Sequence, residues 1–295
     1  MNSPKDLRRT LIAVASLLLA MISVTTGAAI AKGLFPAIGA EGTTGMRNGV
    51  GALILLAFWR PWRAGKLTRE QTGLVLIYGV NLGLMNLLYY FGLRTLPLGM
   101  AVAIEFLGPF SLALYHSRRA ADLVWLAFAI IGMAMLLPWG SGGMAVDPVG
   151  AGFALAAGAA WACYIVYGQK AGAQLASGRV TSLGTAVAGL VTFPIGLAHA
   201  GSALFAWPTL IAACGVALFS SAIPYSFDMI AMKRLPTRTF GIMMSIEPAI
   251  GALAGFLLLG EGLSPRQQLA IGCVIVASFG STASAREVVP VNPES

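Results

Sequence analysis

The feature that most limits this chain is the recurrence of apolar runs long enough to cross a bilayer, which takes about 20 helical residues each time. By that rule, spans fall near residues 10–31, 42–59, 72–93, 96–115, 120–138, 148–168, 180–199, 208–231, 237–259 and 266–284. At that depth no water satisfies backbone groups, so the runs are read as helices. Only 10% of the residues are charged, where a soluble domain carries about 25%. The chain therefore reads as an all-α integral membrane protein with ten transmembrane helices.

Span 2 is poor in apolar residues, because Arg47, Thr43 and Thr44 interrupt it, but the placement of charge requires it. With the N-terminus inside, fifteen of the nineteen Lys and Arg residues fall in cytoplasmic segments. Only Lys32, Arg94 and Arg266 fall outside, as the positive-inside bias demands. Removing span 2 would put every later cytoplasmic charge on the wrong face. The basic start, Lys5 to Arg9, followed by an apolar run has the shape of a signal peptide. That run continues to Ile30, so an uncleaved first helix is expected, with both termini cytoplasmic. Trp59, Trp62, Trp139 and Trp207 sit at span ends as an interfacial belt, whereas Trp161 falls in mid-span.

Ten spans divide into five and five, and an odd number forces the second half to enter from the opposite side. Pro97 and Pro109 are echoed 139 residues later by Pro236 and Pro248, and Thr43-Thr44 is echoed by Thr181-Ser182 at an offset of 138. The expected organisation is a first five-helix repeat over 1–140, an inverted second repeat over 145–286, and a short tail over 287–295. Inverted repeats of this kind build secondary transporters, with the solute site near the midplane where the halves meet. The net charge of +8 follows the membrane surface, so the expected partner is the lipid bilayer and not nucleic acid. Oligomeric state is left open.

Several classes of chemistry are excluded. No Gly-x-x-x-x-Gly-Lys-Ser/Thr, Gly-x-Ser-x-Gly, His-Glu-x-x-His or Cys-x-x-Cys pattern occurs. Cys163, Cys214 and Cys273 lie within apolar runs and read as small buried hydrophobes, not a metal site or a disulfide framework. No cofactor, metal or catalytic residue is expected, and neither an intramembrane enzyme nor a passive channel has a motif here.

The candidate site residues are the polar groups at membrane depth, which are costly and face a cavity or a partner by default. Glu105 lies about nine residues into span 4, roughly 13 Å deep at 1.5 Å per residue, and Glu247 lies at similar depth in span 9. Pro109 and Pro248 kink these helices and free the carbonyls of Glu105 and Met244. Either glutamate can neutralise a substrate ammonium, carry a coupling proton, or hold helices together. The Arg47 fork suits a carboxylate, or pairs with Glu41 or snorkels to the outer headgroups. Asn86 with Tyr90, Trp161 with Tyr164, and Ser221 with Tyr225 share helix faces and, with Ser245, are expected to line a substrate pocket. Asp228, near Lys233 and Arg234, is expected in a salt bridge or cytoplasmic gate, and with Glu247 it forms the coupling or gating pair.

The runs Ala101-Val-Ala-Ile-Glu-Phe-Leu-Gly-Pro109, Ser117-Arg-Arg119, Leu235-Pro-Thr-Arg-Thr-Phe-Gly241 and Met244-Ser-Ile-Glu-Pro248 resemble the EamA-type exporters of the drug/metabolite transporter superfamily. Trp161 through Ala173 is similar to its threonine/homoserine exporter branch. The resemblance implies a ten-helix inverted repeat in the bacterial inner membrane that exports small neutral amino acids, threonine or homoserine first. Others in that superfamily take aromatic or other amino acids. The resemblance supplies no substrate residues, so the candidates above rest on polarity and depth.

Overall fold

The computed structural model describes residues 4–116, 120–136, 147–235, 240 and 243–260, with helical residues at 265–266, 269–270, 272–273 and 276–277. All its regular elements are helical among those residues. The expected inter-repeat boundary at 137–146, Pro236, the tail 287–295 and most of span 10 lie outside them.

Local chemistry sets the first helix ends. Helix α1 (Pro4–Lys32) runs unbroken through the first apolar stretch. Helix α2 (Phe35–Trp59) starts with Pro36 in its first turn and bends at Gly39, whose φ of 70° is the left-handed region that only glycine enters freely. It stops where Arg60 turns left-handed ahead of Pro61. Helix α3 (Arg69–Gly92) opens with a capping box: the Gln71 N–H donates to the Thr68 hydroxyl, and the Thr68 N–H donates to the Gln71 side chain.

The expected fourth span is two helices, α4 (Leu98–Glu105) and α5 (Leu107–His116), meeting at Phe106. The cause is Pro109, which has no N–H to return to the Glu105 carbonyl. That carbonyl lies against Gly158, where any side chain would collide with it. Helix α6 (Ala120–Leu136) follows. Helix α7 (Pro148–Gln174) is capped by Asp147, which accepts from the Val149 and Gly150 N–H groups and from the Thr95 hydroxyl. Hydrogen bonding by Thr95 and then Gly150 holds the Asp147 carboxyl below its usual range.

Helix α8 (Ser177–Ala200) is followed by α9 (Trp207–Ala217), a π turn (Leu218–Ala222) and α10 (Ile223–Met232), so span 8 is continuous but locally widened. A 3₁₀ turn at Met244–Ile246 precedes α11 (Glu247–Leu259), which ends on left-handed Gly260. Among the described residues, five stretches are long and apolar enough to cross a membrane: Leu11–Lys32, Arg69–Gly92, Pro148–Gln174, Ser177–Phe205 and Trp207–Met232. Leu98–Leu112 and Ala249–Leu259 are shorter apolar helices.

Helix α2 packs along α8, α3 along α7, α1 along α10 and the π turn, and α4 across α11. Small residues set these distances. Gly189 lies against the Gly49 backbone where α2 and α8 cross, and Gly99 meets the Ala252 backbone where α4 and α11 cross. The bundle is apolar outside and polar at its centre. Leu190, Phe58 and Leu257 face outward, while Arg47, Asn48, Asn86, Glu105 and Glu247 are buried. Cys163 and Cys214 are exposed, contrary to expectation. In a chain surrounded by lipid the apolar side is the outer one, so an apolar residue there needs no core.

Candidate functional site

At the centre is a hollow walled by α1, α2, α3, α4, α7, α10 and the turn into α11. Arg47 stands on one wall, and Glu105, Asp228 and Glu247 stand on others. Asn86, Tyr89, Trp161, Tyr164 and Tyr225 supply the polar and aromatic lining, and Met21, Met85, Met244, Val24 and Val102 supply apolar surface.

Arg47 is the best-defined group. It is 1% exposed, and neither alternative considered for it, snorkelling or pairing with Glu41, is what it does. Its Nη2 donates to the Ser220 carbonyl (2.6 Å) and the Tyr225 hydroxyl (2.9 Å), and its Nε donates to Ser221 Oγ (3.2 Å). The Tyr90 and Tyr225 rings flank the guanidinium, with centroids 5.3 and 5.8 Å from Cζ. Glu41 instead pairs with Arg94, with His199 Nε2 at 3.5 Å.

Behind Arg47 a relay of side chains fixes its partners. Asn86 Nδ2 donates to the Tyr225 hydroxyl (2.7 Å) and to Asn48 Oδ1 (3.0 Å), and the Tyr225 hydroxyl donates to Asn86 Oδ1 (3.0 Å). Asn48 Nδ2 donates to the Thr192 hydroxyl (3.2 Å), which donates to the Ala188 carbonyl (2.8 Å). Four helices are tied together through these bonds.

Four buried atoms on groups lining the cavity have no hydrogen-bond partner among the described residues: Arg47 Nη1, Tyr164 OH, Asp228 Oδ1 and Glu247 Oε2. A buried polar atom left unpaired costs about 1–3 kcal/mol, and more when charged. Among the described residues, no carboxylate lies within 4 Å of Arg47. The wall thus presents one unsatisfied cationic donor and, across the hollow, unsatisfied carboxyl oxygens. That pattern complements a small molecule carrying both an anion and a cation.

The sequence candidates divide accordingly. Arg47, Asn86, Glu105, Trp161, Tyr164, Tyr225, Asp228 and Glu247 share the cavity. Tyr90 and Ser221 stand behind Arg47 and hold it instead of facing the hollow. Asp228 makes no salt bridge with Lys233 or Arg234. Five residues along a helix is about 140° around it, and only i+3 and i+4 neighbours face one another. Lys233 donates to the Leu175 carbonyl instead. The side chains of Ser245 and Pro248 lie outside the described residues. Tyr89, Asn48 and Thr192 were missed. Tyr89 stands three residues after Asn86 on α3, a neighbour as legitimate as the i+4 residue chosen, and Asn48 adjoins Arg47.

A helical, apolar-surfaced bundle around a polar hollow is the architecture of a membrane transporter. A family model described as the EamA-like transporter family matches residues 148–283. The threonine/homoserine exporter RhtA of Escherichia coli K12 is 49% identical, over 92% of this chain and 91% of its own. Its counterpart in Salmonella typhimurium LT2 is 48% identical over 92% and 91%. A solved crystal structure 19% identical superposes with a TM-score of 0.69, covering 91% of this chain and 96% of that one, which shows a shared fold. The chain belongs to the EamA-like transporter family. Its relatives are transporters, not enzymes.

Proposed function

We propose that this protein exports small neutral amino acids of the threonine and homoserine type across the bacterial inner membrane by alternating access. The names of its close relatives support the substrate class. One observation carries the site: the unpaired Arg47 Nη1 and the unpaired Asp228 and Glu247 oxygens line the same hollow. A zwitterion satisfies all of them at once, its carboxylate on Arg47 and its ammonium among Glu105, Glu247 and Asp228. The Tyr164 hydroxyl and Trp161 then stand ready for a hydroxylated side chain.

The same reading takes the bundle as ten helices in two inverted halves, 1–140 and 145–286, with both termini cytoplasmic. Packing that survives exchange of the halves supports it. Helix α3 lies on α7 as α10 lies on α1, and α2 lies on α8 at the Gly49–Gly189 crossing. Asn86 and Tyr225, separated by the same 139 residues as the proline pairs, bond to one another. Residues related by a two-fold meet only on its axis. Alternating access follows from rocking about that axis.

The test is counterflow of labelled threonine in proteoliposomes, with homoserine, serine, alanine, phenylalanine and tryptophan as competitors. Saturable exchange inhibited by homoserine is expected, and preferential inhibition by the aromatic amino acids would overturn the substrate class. Coupling to protons is read separately: a pH change on adding substrate is expected if Glu247 or Asp228 releases a proton, and its absence removes them from coupling.

A further inference from the structure

We propose that Pro224, through the π turn before it, is a positioning residue that aims Arg47 at the substrate carboxylate. The inference rests on the function proposed above. In a regular helix the Ser220 carbonyl accepts from the N–H four residues on, and that residue is Pro224, which has none. The proline ring also crowds that carbonyl, and the backbone widens into the π turn Leu218–Ala222. As a result the Ile223 N–H reaches back five residues to the Leu218 carbonyl, so the Phe219 carbonyl loses its usual donor as well. Two consecutive carbonyls are thus stripped of their helical partners at membrane depth, where each must be satisfied by another donor.

Both are claimed by neighbouring helices. Ser23 Oγ of α1 donates to the Phe219 carbonyl at 2.6 Å, and Arg47 Nη2 of α2 donates to the Ser220 carbonyl at 2.6 Å. Gly27, one turn beyond Ser23, lets α1 come this close, since any side chain there would strike Ser220. The Ser220 carbonyl and the Tyr225 hydroxyl together occupy Nη2, and Ser221 occupies Nε. The remaining nitrogen, Nη1, is the one left unpaired at the cavity wall. A charged side chain with four rotatable bonds is thus held, together with Tyr225 and Ser221, by an acceptor left free because residue 224 is proline.

Pro224→Ala restores an N–H that competes for these carbonyls and lets the segment return to ordinary helical register. Arg47 then loses its shortest bond. The expected result is a rise of about tenfold or more in the KM for threonine counterflow, a factor that corresponds to about 1.4 kcal/mol. The maximal rate should change less than KM, and the melting temperature in detergent should be equal or higher because a helical bond is regained. Exchange of threonine amide, which lacks the carboxylate, should have the same KM in wild type and variant. Pro224→Gly restores the same N–H and serves should the alanine variant not insert. An unchanged threonine KM in either folded variant overturns the proposal, as does an equal rise for threonine amide, which would mark a general loss of structure. Failure of the wild type to exchange threonine would instead defeat the functional reading, and this inference with it.

Discussion

Tyr90 and Tyr225 both stack on the Arg47 guanidinium, yet only Tyr225 uses its hydroxyl. The Tyr225 oxygen accepts from Arg47 and from Asn86, whereas the Tyr90 hydroxyl has no partner among the described residues. Tyr225→Phe leaves buried donors unmet and should cost about 1–3 kcal/mol. Tyr90→Phe keeps the ring, removes an unpaired polar atom, and should leave thermal stability within about 0.5 kcal/mol. Melting curves of the two variants in one detergent check the contrast; equal losses would mean that the rings, not the hydroxyls, carry the effect. At the same scale, Arg47→Lys keeps the charge but loses the fork. Its threonine KM should rise about tenfold or more in counterflow, while Glu105→Gln should weaken exchange of threonine and of threonine amide alike. These outcomes would separate the carboxylate end of the site from the ammonium end.

At the scale of elements, the kink between α4 and α5 depends on two backbones in contact. The Glu105 carbonyl freed by Pro109 rests on Gly158, and a side chain at Gly108 would strike the Gly158 carbonyl. Overpacking of this kind usually costs about 1–3 kcal/mol. Because backbone cannot step aside as a side chain does, Gly108→Ala should fall at the upper end, read as a lower melting temperature or lower yield of inserted protein. A wild-type melting curve for this variant would mean that the two helices slide apart freely. The Asp147 cap gives a pH signature. Its carboxyl is held below the usual range, so its contribution is present above the unfolded value, about 3.9, and disappears as pH falls through the folded value. Between wild type and Asp147→Ala, the gap in melting temperature should therefore be constant from pH 7 to about pH 5 and close below about pH 4. Part of this scale was readable from prolines: the break in span 4 and the turn before Glu247 both follow from where an N–H is missing. The π turn was not, because Pro224 near the start of α10 also fits an ordinary helix start, and nothing in a one-dimensional pattern says which neighbour will take an orphaned carbonyl.

For the whole molecule, the gathering of Arg47, Glu105 and Glu247 around one hollow followed from depth, since charges at similar depth in a helical bundle have few other places to go, whereas Asp228 was expected nearer the cytoplasmic end and joins them there. The chemistry between them did not. Ser220 meets Arg47 through a backbone atom that carries no residue signature, and the pair is 173 positions apart in the chain. The proposed orientation, with both termini cytoplasmic, can be checked directly. In a background with the three native cysteines replaced, Lys66→Cys should react with a membrane-impermeant maleimide only when the cytoplasmic face is accessible, and labelling from the other side would invert the scheme.

Asn86 and Tyr225 occupy matching places in the two halves of the proposed repeat and touch at its axis, but one is an amide and the other a phenol. When such a scaffold rocks from one side to the other, the backbone arrangement is exchanged while the chemistry at the pivot is not. On the proposed scheme the inward-open and outward-open forms would therefore differ in energy even without cargo, and the empty protein would favour one of them. Such an imbalance cannot drive cargo uphill, since a bias in resting state leaves the final distribution untouched. It can set which leg of the cycle is slow, so that loading from one compartment outpaces loading from the other.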